Sequence, residues 1–121
     1  MATLSIALVA ACFLGMGVYG LVAPARLIAP FGVRLDSPEA RSEVRAVYGG
    51  FGIAIALLLA LALRESELRA GVLCSVAAAL LGMASGRLVA RGLGDKPARF
   101  YPGWFYFWLE LFAAALLLAA R

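Results

Sequence analysis

The sequence predicts an all-α fold, an integral membrane four-helix bundle of antiparallel up-down topology, and three observations carry that prediction. First, charge is segregated: residues 1–25, 46–63, 70–86 and 100–120 hold 81 of the 121 positions and a single charged residue, Glu110, whereas the other 40 positions hold 17. Second, hydrophobic residues make up 64% of the chain and mean hydropathy is +0.96, although a soluble domain of this size would place charge on the wet face of every helix and strand. Third, each apolar stretch is long enough to cross a hydrocarbon core of about 30 Å, which takes roughly 17 to 25 helical residues at about 1.5 Å rise. Soluble globular, disordered and disulfide-scaffold classes are excluded, and so is a nucleic-acid-binding domain, despite the net charge of +4. Four crossings use up the chain, which therefore reads as one transmembrane domain, 1–121, with helices over about 3–24, 38–63, 69–90 and 102–120.

Lipid offers no hydrogen bonds to exposed backbone, so helices are required unless a barrel closes. A barrel strand would alternate apolar and polar residues, whereas 53–63 is an unbroken apolar run. In the first segment Val9-Ala10-Ala11-Cys12 resembles a lipoprotein cleavage box. No basic residue precedes it and the apolar run continues to Val22, so a retained helix is the expectation. Pro24 and Pro30 stop that helix and break up 26–32, whose Leu27, Ile28 and Phe31 are expected at headgroup level. Ser37-Pro38 reads as an N-cap followed by proline at the first helical position. From there 39–45 is amphipathic, and Arg41, Arg45, Tyr48 and Gly52 fall on one helical face. Only 64–69 separates the second helix from the third, a length that demands an antiparallel hairpin.

Basic residues set the orientation. Arg26, Arg34, Arg41 and Arg45 lie in the first long connection and Arg87, Arg91, Lys96 and Arg99 in the last, eight on one side. Arg64, Arg69 and Arg121 make three on the other. The positive-inside rule then places both long loops in the cytoplasm and both termini outside. All four Tyr and both Trp (Tyr19, Tyr48, Tyr101, Trp104, Tyr106, Trp108) adjoin those same loops, as amphipathic rings do at an interface.

Small residues mark helix faces that meet. Ala78, Gly82 and Gly86 repeat every four residues in the third helix, as do Ala46, Gly50 and Ala54 in the second, with Gly49, Gly52, Ala56 and Ala60 beside them. Such stripes let backbones approach closely, either within one chain or across a homo-oligomer interface. Gly49, Gly50, Gly82 and Gly86 are expected to pack against neighbouring helices of the same chain.

The segment Glu43-Val44-Arg45-Ala46-Val47-Tyr48-Gly49-Gly50, then Gly86-Arg87, then Gly94-Asp95-Lys96-Pro97, then Glu110 resembles a family of small bacterial membrane proteins known as domain of unknown function 4345. The resemblance spans nearly the whole chain. Gly94-Asp95-Lys96 departs from the Asp-Gly that precedes the proline in that family's pattern. What the resemblance implies is four helices and a polar cluster, with no activity attached, and the architecture also looks distantly DoxX-like.

Chemistry has to come from charges within or beside the membrane. Glu110 lies about 10 Å beyond Pro102-Gly103 along a helix. An unpaired carboxylate at that depth is costly, so it must be paired, protonated or facing water. Arg45 and Arg87 stand at the ends of their helices and Tyr48 one turn from Arg45, so a cluster of Glu110, Arg45, Arg87 and Tyr48 is expected, with Glu43 pairing the arginine that Glu110 leaves free. Such a cluster can fix helix register, form the polar end of a pocket for a lipophilic or amphipathic small molecule, or carry protons in a small transporter. The chain has no His and two Cys, which removes Ser-His-Asp and Cys-His nucleophiles, bis-His haem, nearly all zinc sites and any thiolate metal cage. Cys12 and Cys74 are expected at different depths and unlinked. No cofactor, no metal and no catalytic residue is expected, although an isomerase needing one carboxylic acid and one tyrosine stays open. The expected partners are membrane lipid, a lipophilic small molecule and further copies of the chain. The function expected is that of a ligand-binding or structural membrane subunit.

Overall fold

The computed structural model describes residues 1–121, which form helices and connections without a strand. Helix α1 spans Ala2–Val22. It ends at Ala23 (φ −137°, ψ 64°), a conformation favoured because Pro24 disfavours helical backbone in the residue before it. Pro24 then opens a short helix, α2, Pro24–Ile28, continued by one tighter turn, Ala29–Phe31. Ile28 is buried. Ser37 caps α3, Pro38–Arg64, its Oγ accepting from the Ala40 N–H at 3.0 Å, with Pro38 at the first helical position.

Within α3 the stretch Arg45–Gly50 is a wide turn in which hydrogen bonds skip one residue more than in an α-helix. Only Glu65 separates α3 from α4, Ser66–Gly92. This is tighter than the six-residue connection expected from sequence, because Arg69 turns back and donates from Nε to Ala62 O (2.9 Å) and from Nη2 to Leu63 O (3.1 Å). Those carbonyls end α3 without helical partners, and the guanidinium supplies them. The last regular helix, α5, spans Phe105–Ala120 and is preceded by a wide turn, Phe100–Trp104, in which Tyr101 is extended (φ −95°, ψ 134°).

The long helices form a closed ring, α1 against α3, α3 against α4, α4 against α5 and α5 against α1, each antiparallel to its neighbours. All four are long and apolar enough to cross a membrane, the last together with its leading turn as Phe100–Ala120. Only 22 of 121 residues are buried, and the exposed ones include Leu57, Leu58, Leu61, Leu81, Met83 and Phe112, the apolar exterior that a bundle in lipid presents.

The two ends of the bundle differ. At the end carrying the termini and the Glu65 turn, Ile6, Val9, Leu59, Leu73, Val76, Ala77, Ala114 and Leu117 close the interior with apolar side chains. At the end carrying the two long connections, α1 and α3 touch through glycine. A Cβ on Gly17 would stand 2.7 Å from Ile53 N and 2.8 Å from Gly49 O, and one on Gly52 would stand 2.9 Å from Phe13 O. Backbone replaces side chain at this crossing.

The small-residue expectation is corrected here. Gly49 does meet α1, but Gly82 and Gly86 have no atom within 4 Å of where a Cβ would sit, and Gly50 has only its own helix's Arg45 O at 3.9 Å. All three are exposed. A four-residue repeat in a membrane helix can face outward as readily as inward, because both environments are apolar.

Candidate functional site

Two ion pairs form in the chain, one of them an exposed Arg34–Asp36 contact at 3.7 Å. The other joins α4 to α5. Arg87 Nε donates to Glu110 Oε1 at 2.8 Å and to Oε2 at 3.1 Å, and Nη2 stands 2.7 Å from Oε1. The Glu110 side chain is 5% exposed and that of Arg87 31%. Both carboxylate oxygens are thus engaged by one guanidinium, the charge-assisted and geometrically demanding form of the interaction. Arg87 makes no other hydrogen bond.

Aromatic rings wall this pair. The Arg87 guanidinium carbon lies 5.8 Å from the centroid of Tyr106, which is one turn before Glu110 on α5. Tyr106 in turn packs against Phe31, from the turn after α2, at 5.5 Å and against Tyr101 at 5.9 Å. One turn further along α4, Arg91 stands over Trp104 at 5.5 Å and has no carboxylate partner. Cation–ring contacts of this kind hold a guanidinium in place without neutralising it. Beside them is a shallow cavity of about 460 Å³ lined by Pro30, Arg99, Tyr101 and Pro102.

The structure brings together two of the five residues named from sequence. Arg45 is not at Glu110: its Nε donates to Leu21 O at 3.0 Å, satisfying a last-turn carbonyl of α1. Tyr48 makes no hydrogen bond or ring contact in the site, and Glu43 is exposed without an ion pair. In the ring α3 meets α1 and α4 and stands diagonal to α5, which carries Glu110, and the wide turn Arg45–Gly50 further breaks the phase that would align Arg45, Tyr48 and Gly52. Sequence reasoning missed Tyr106, Phe31, Arg91 and Trp104 as parts of the site. The signals were present for two of them, since Tyr106 precedes Glu110, and Arg91 follows Arg87, by four residues.

Cys12 and Cys74 are free thiols. No group of three or more His, Cys, Asp or Glu side chains is placed to hold a metal ion.

The sequence pattern of the family described as Domain of unknown function (DUF4345) matches residues 1–121, the whole chain. The chain belongs to the DUF4345 family. Among curated proteins and among solved structures, none matches it. In this DUF4345 chain one bundle end is a packed apolar core, and the other holds an oriented guanidinium within an aromatic wall.

Proposed function

We propose that this is a multi-pass protein of the bacterial inner membrane, with both termini outside and both long connections in the cytoplasm, that binds an amphipathic small molecule without catalysing its conversion. The orientation is supported by eight basic residues on one side against three on the other. The observation that carries the binding reading is the held but incompletely used guanidinium of Arg87. Glu110 fixes it through both carboxylate oxygens, yet a third of its side chain stays accessible beside Tyr106. That accessible part, beside the ring, is what a ligand can meet, since a ligand site uses a few placed polar groups on an apolar, aromatic lining. Engagement of both Glu110 oxygens also favours a fixed ion pair over a proton path through that carboxylate.

Native mass spectrometry of the protein extracted from its membrane in mild detergent tests the reading. A stoichiometric non-protein adduct, lost in Arg87→Met, is expected. A clean apo mass in both proteins would support a structural subunit instead.

A further inference from the structure

The two clasps at the loop end pull the bundle into pairs. Glycine contacts draw α3 onto α1, and the Arg87–Glu110 pair draws α4 onto α5. Between α3 and α4 this leaves an open groove of about 610 Å³, with Phe13 of α1 as its floor. Its walls include Phe51, Ile55 and Leu58 from α3 and Val72, Ala79 and Met83 from α4. On α4 the lining runs from Glu67 to Met83, about 24 Å at 1.5 Å per residue. The volume lies within the range of about 300 to 1,000 Å³ usual for small-molecule sites. The groove lies within the lengths of α3 and α4 that are apolar enough to cross a membrane.

Its ends differ in charge. Glu67 lines the end next to the Glu65 turn. At the other end, Leu80, Met83 and Arg87 continue one helical face by i, i+3, i+7 spacing, and Arg91 follows one turn later. Glu110 balances Arg87, while Arg91 remains uncompensated over Trp104. At the turn end Arg64 and Arg69 offset Glu65 and Glu67, so a bound anion is drawn to the Arg91 end.

We infer that the α3/α4 groove seats the tail of a single-chain anionic amphiphile, a long-chain carboxylate drawn from the bilayer, with its head held by Arg87 and Arg91. This rests on the binding reading above and commits it to a ligand class and a second set of residues.

The test uses full-length, delipidated protein in mild detergent, titrated with palmitate, hexadecanol or phosphatidylglycerol and read by native mass spectrometry. Palmitate is expected at one per chain, with hexadecanol weaker by about tenfold or more, the loss expected for a missing charge-assisted contact. Arg91→Gln should weaken palmitate several-fold and leave hexadecanol unchanged. Ala79 and Gly71 both line the groove and are exposed, so Ala79→Trp and Gly71→Phe, which fill it, should each abolish palmitate binding at an unaltered thermal midpoint. If palmitate binding survives both filling variants but is lost in Arg87→Met, the groove is refuted and the binding reading stands. Equal binding of palmitate and hexadecanol, or retention of phosphatidylglycerol alone, overturns the single-chain anion. If no probe binds and the membrane-extracted protein carries no adduct, both readings fall together.

Discussion

Replacing Glu110 with Gln keeps the shape of the side chain and removes its charge. In the wild type, one guanidinium reaches both oxygens of a carboxyl group whose side chain is 5% exposed. After the change one oxygen can still accept from Arg87, but the amide NH₂ faces a group that only donates. Losing one member of a buried pair costs about 3 to 5 kcal/mol. Arg87 is 31% exposed, so water takes up part of the deficit and the long side chain can swing toward the interface, which brings the expected cost to about 2 kcal/mol. At about 4 °C per kcal/mol for a chain of this length, the thermal midpoint in detergent should fall by about 8 °C. Arg87→Met in the Glu110→Gln background should recover part of that loss, giving a coupling energy of about 1 to 2 kcal/mol in the double-mutant cycle. The corresponding cycle with Arg45→Met should be additive, since Arg45 donates to Leu21 O instead. A midpoint for Glu110→Gln within about 1 °C of wild type would refute the assignment of this pair as an anchor between α4 and α5.

Other expectations follow from the same geometry. Gly52→Val should destabilise by about 1 to 3 kcal/mol, because a Cβ there stands 2.9 Å from Phe13 O, whereas Gly86→Leu should change stability by less than about 0.5 kcal/mol; thermal denaturation of the two variants distinguishes a glycine clasp on α1 and α3 from one on α4. Ser37→Ala removes the acceptor for the Ala40 N–H and should cost about 1 kcal/mol, read as faster amide exchange at the start of α3, with Ser37→Asp restoring protection. A reporter fused after Arg121 should be accessible from outside intact spheroplasts, and protection of that reporter would reverse the proposed orientation.

The fold was legible because charge cannot be spread through lipid-crossing helices: one acid in 81 apolar positions left four segments and little choice of architecture. That same isolation singled out Glu110, and the need of a buried carboxylate for a cation pointed to Arg45 and Arg87 without choosing between them. The partners around them were less legible. Arg45 stands at the right depth in sequence, but a wide turn cannot be read from helical spacing, and the terminal carbonyls of α1 competed for its guanidinium. Phe31 reaches Tyr106 from a segment expected to lie at the headgroups, a contact that depends on how α2 folds back over the bundle. The α4 glycines failed for another reason. In water an outward glycine would interrupt a polar face and stand out; in lipid the outer face is as apolar as the inner, so composition does not separate the two.

The single-residue connection at Glu65 has a mechanical consequence. With Arg69 bound to the Ala62 and Leu63 carbonyls, the joined ends of α3 and α4 have no slack, while their far ends are linked only through the rest of the chain. The two helices therefore behave as the arms of a pair of callipers whose rivet is at Glu65. An angular change of a few degrees at the rivet displaces the jaws, some 20 residues away, by about 2 Å at 1.5 Å per residue. Lengthening the connection by two glycines would loosen the rivet and let the arms slide past each other, so that jaw separation would no longer report a single angle.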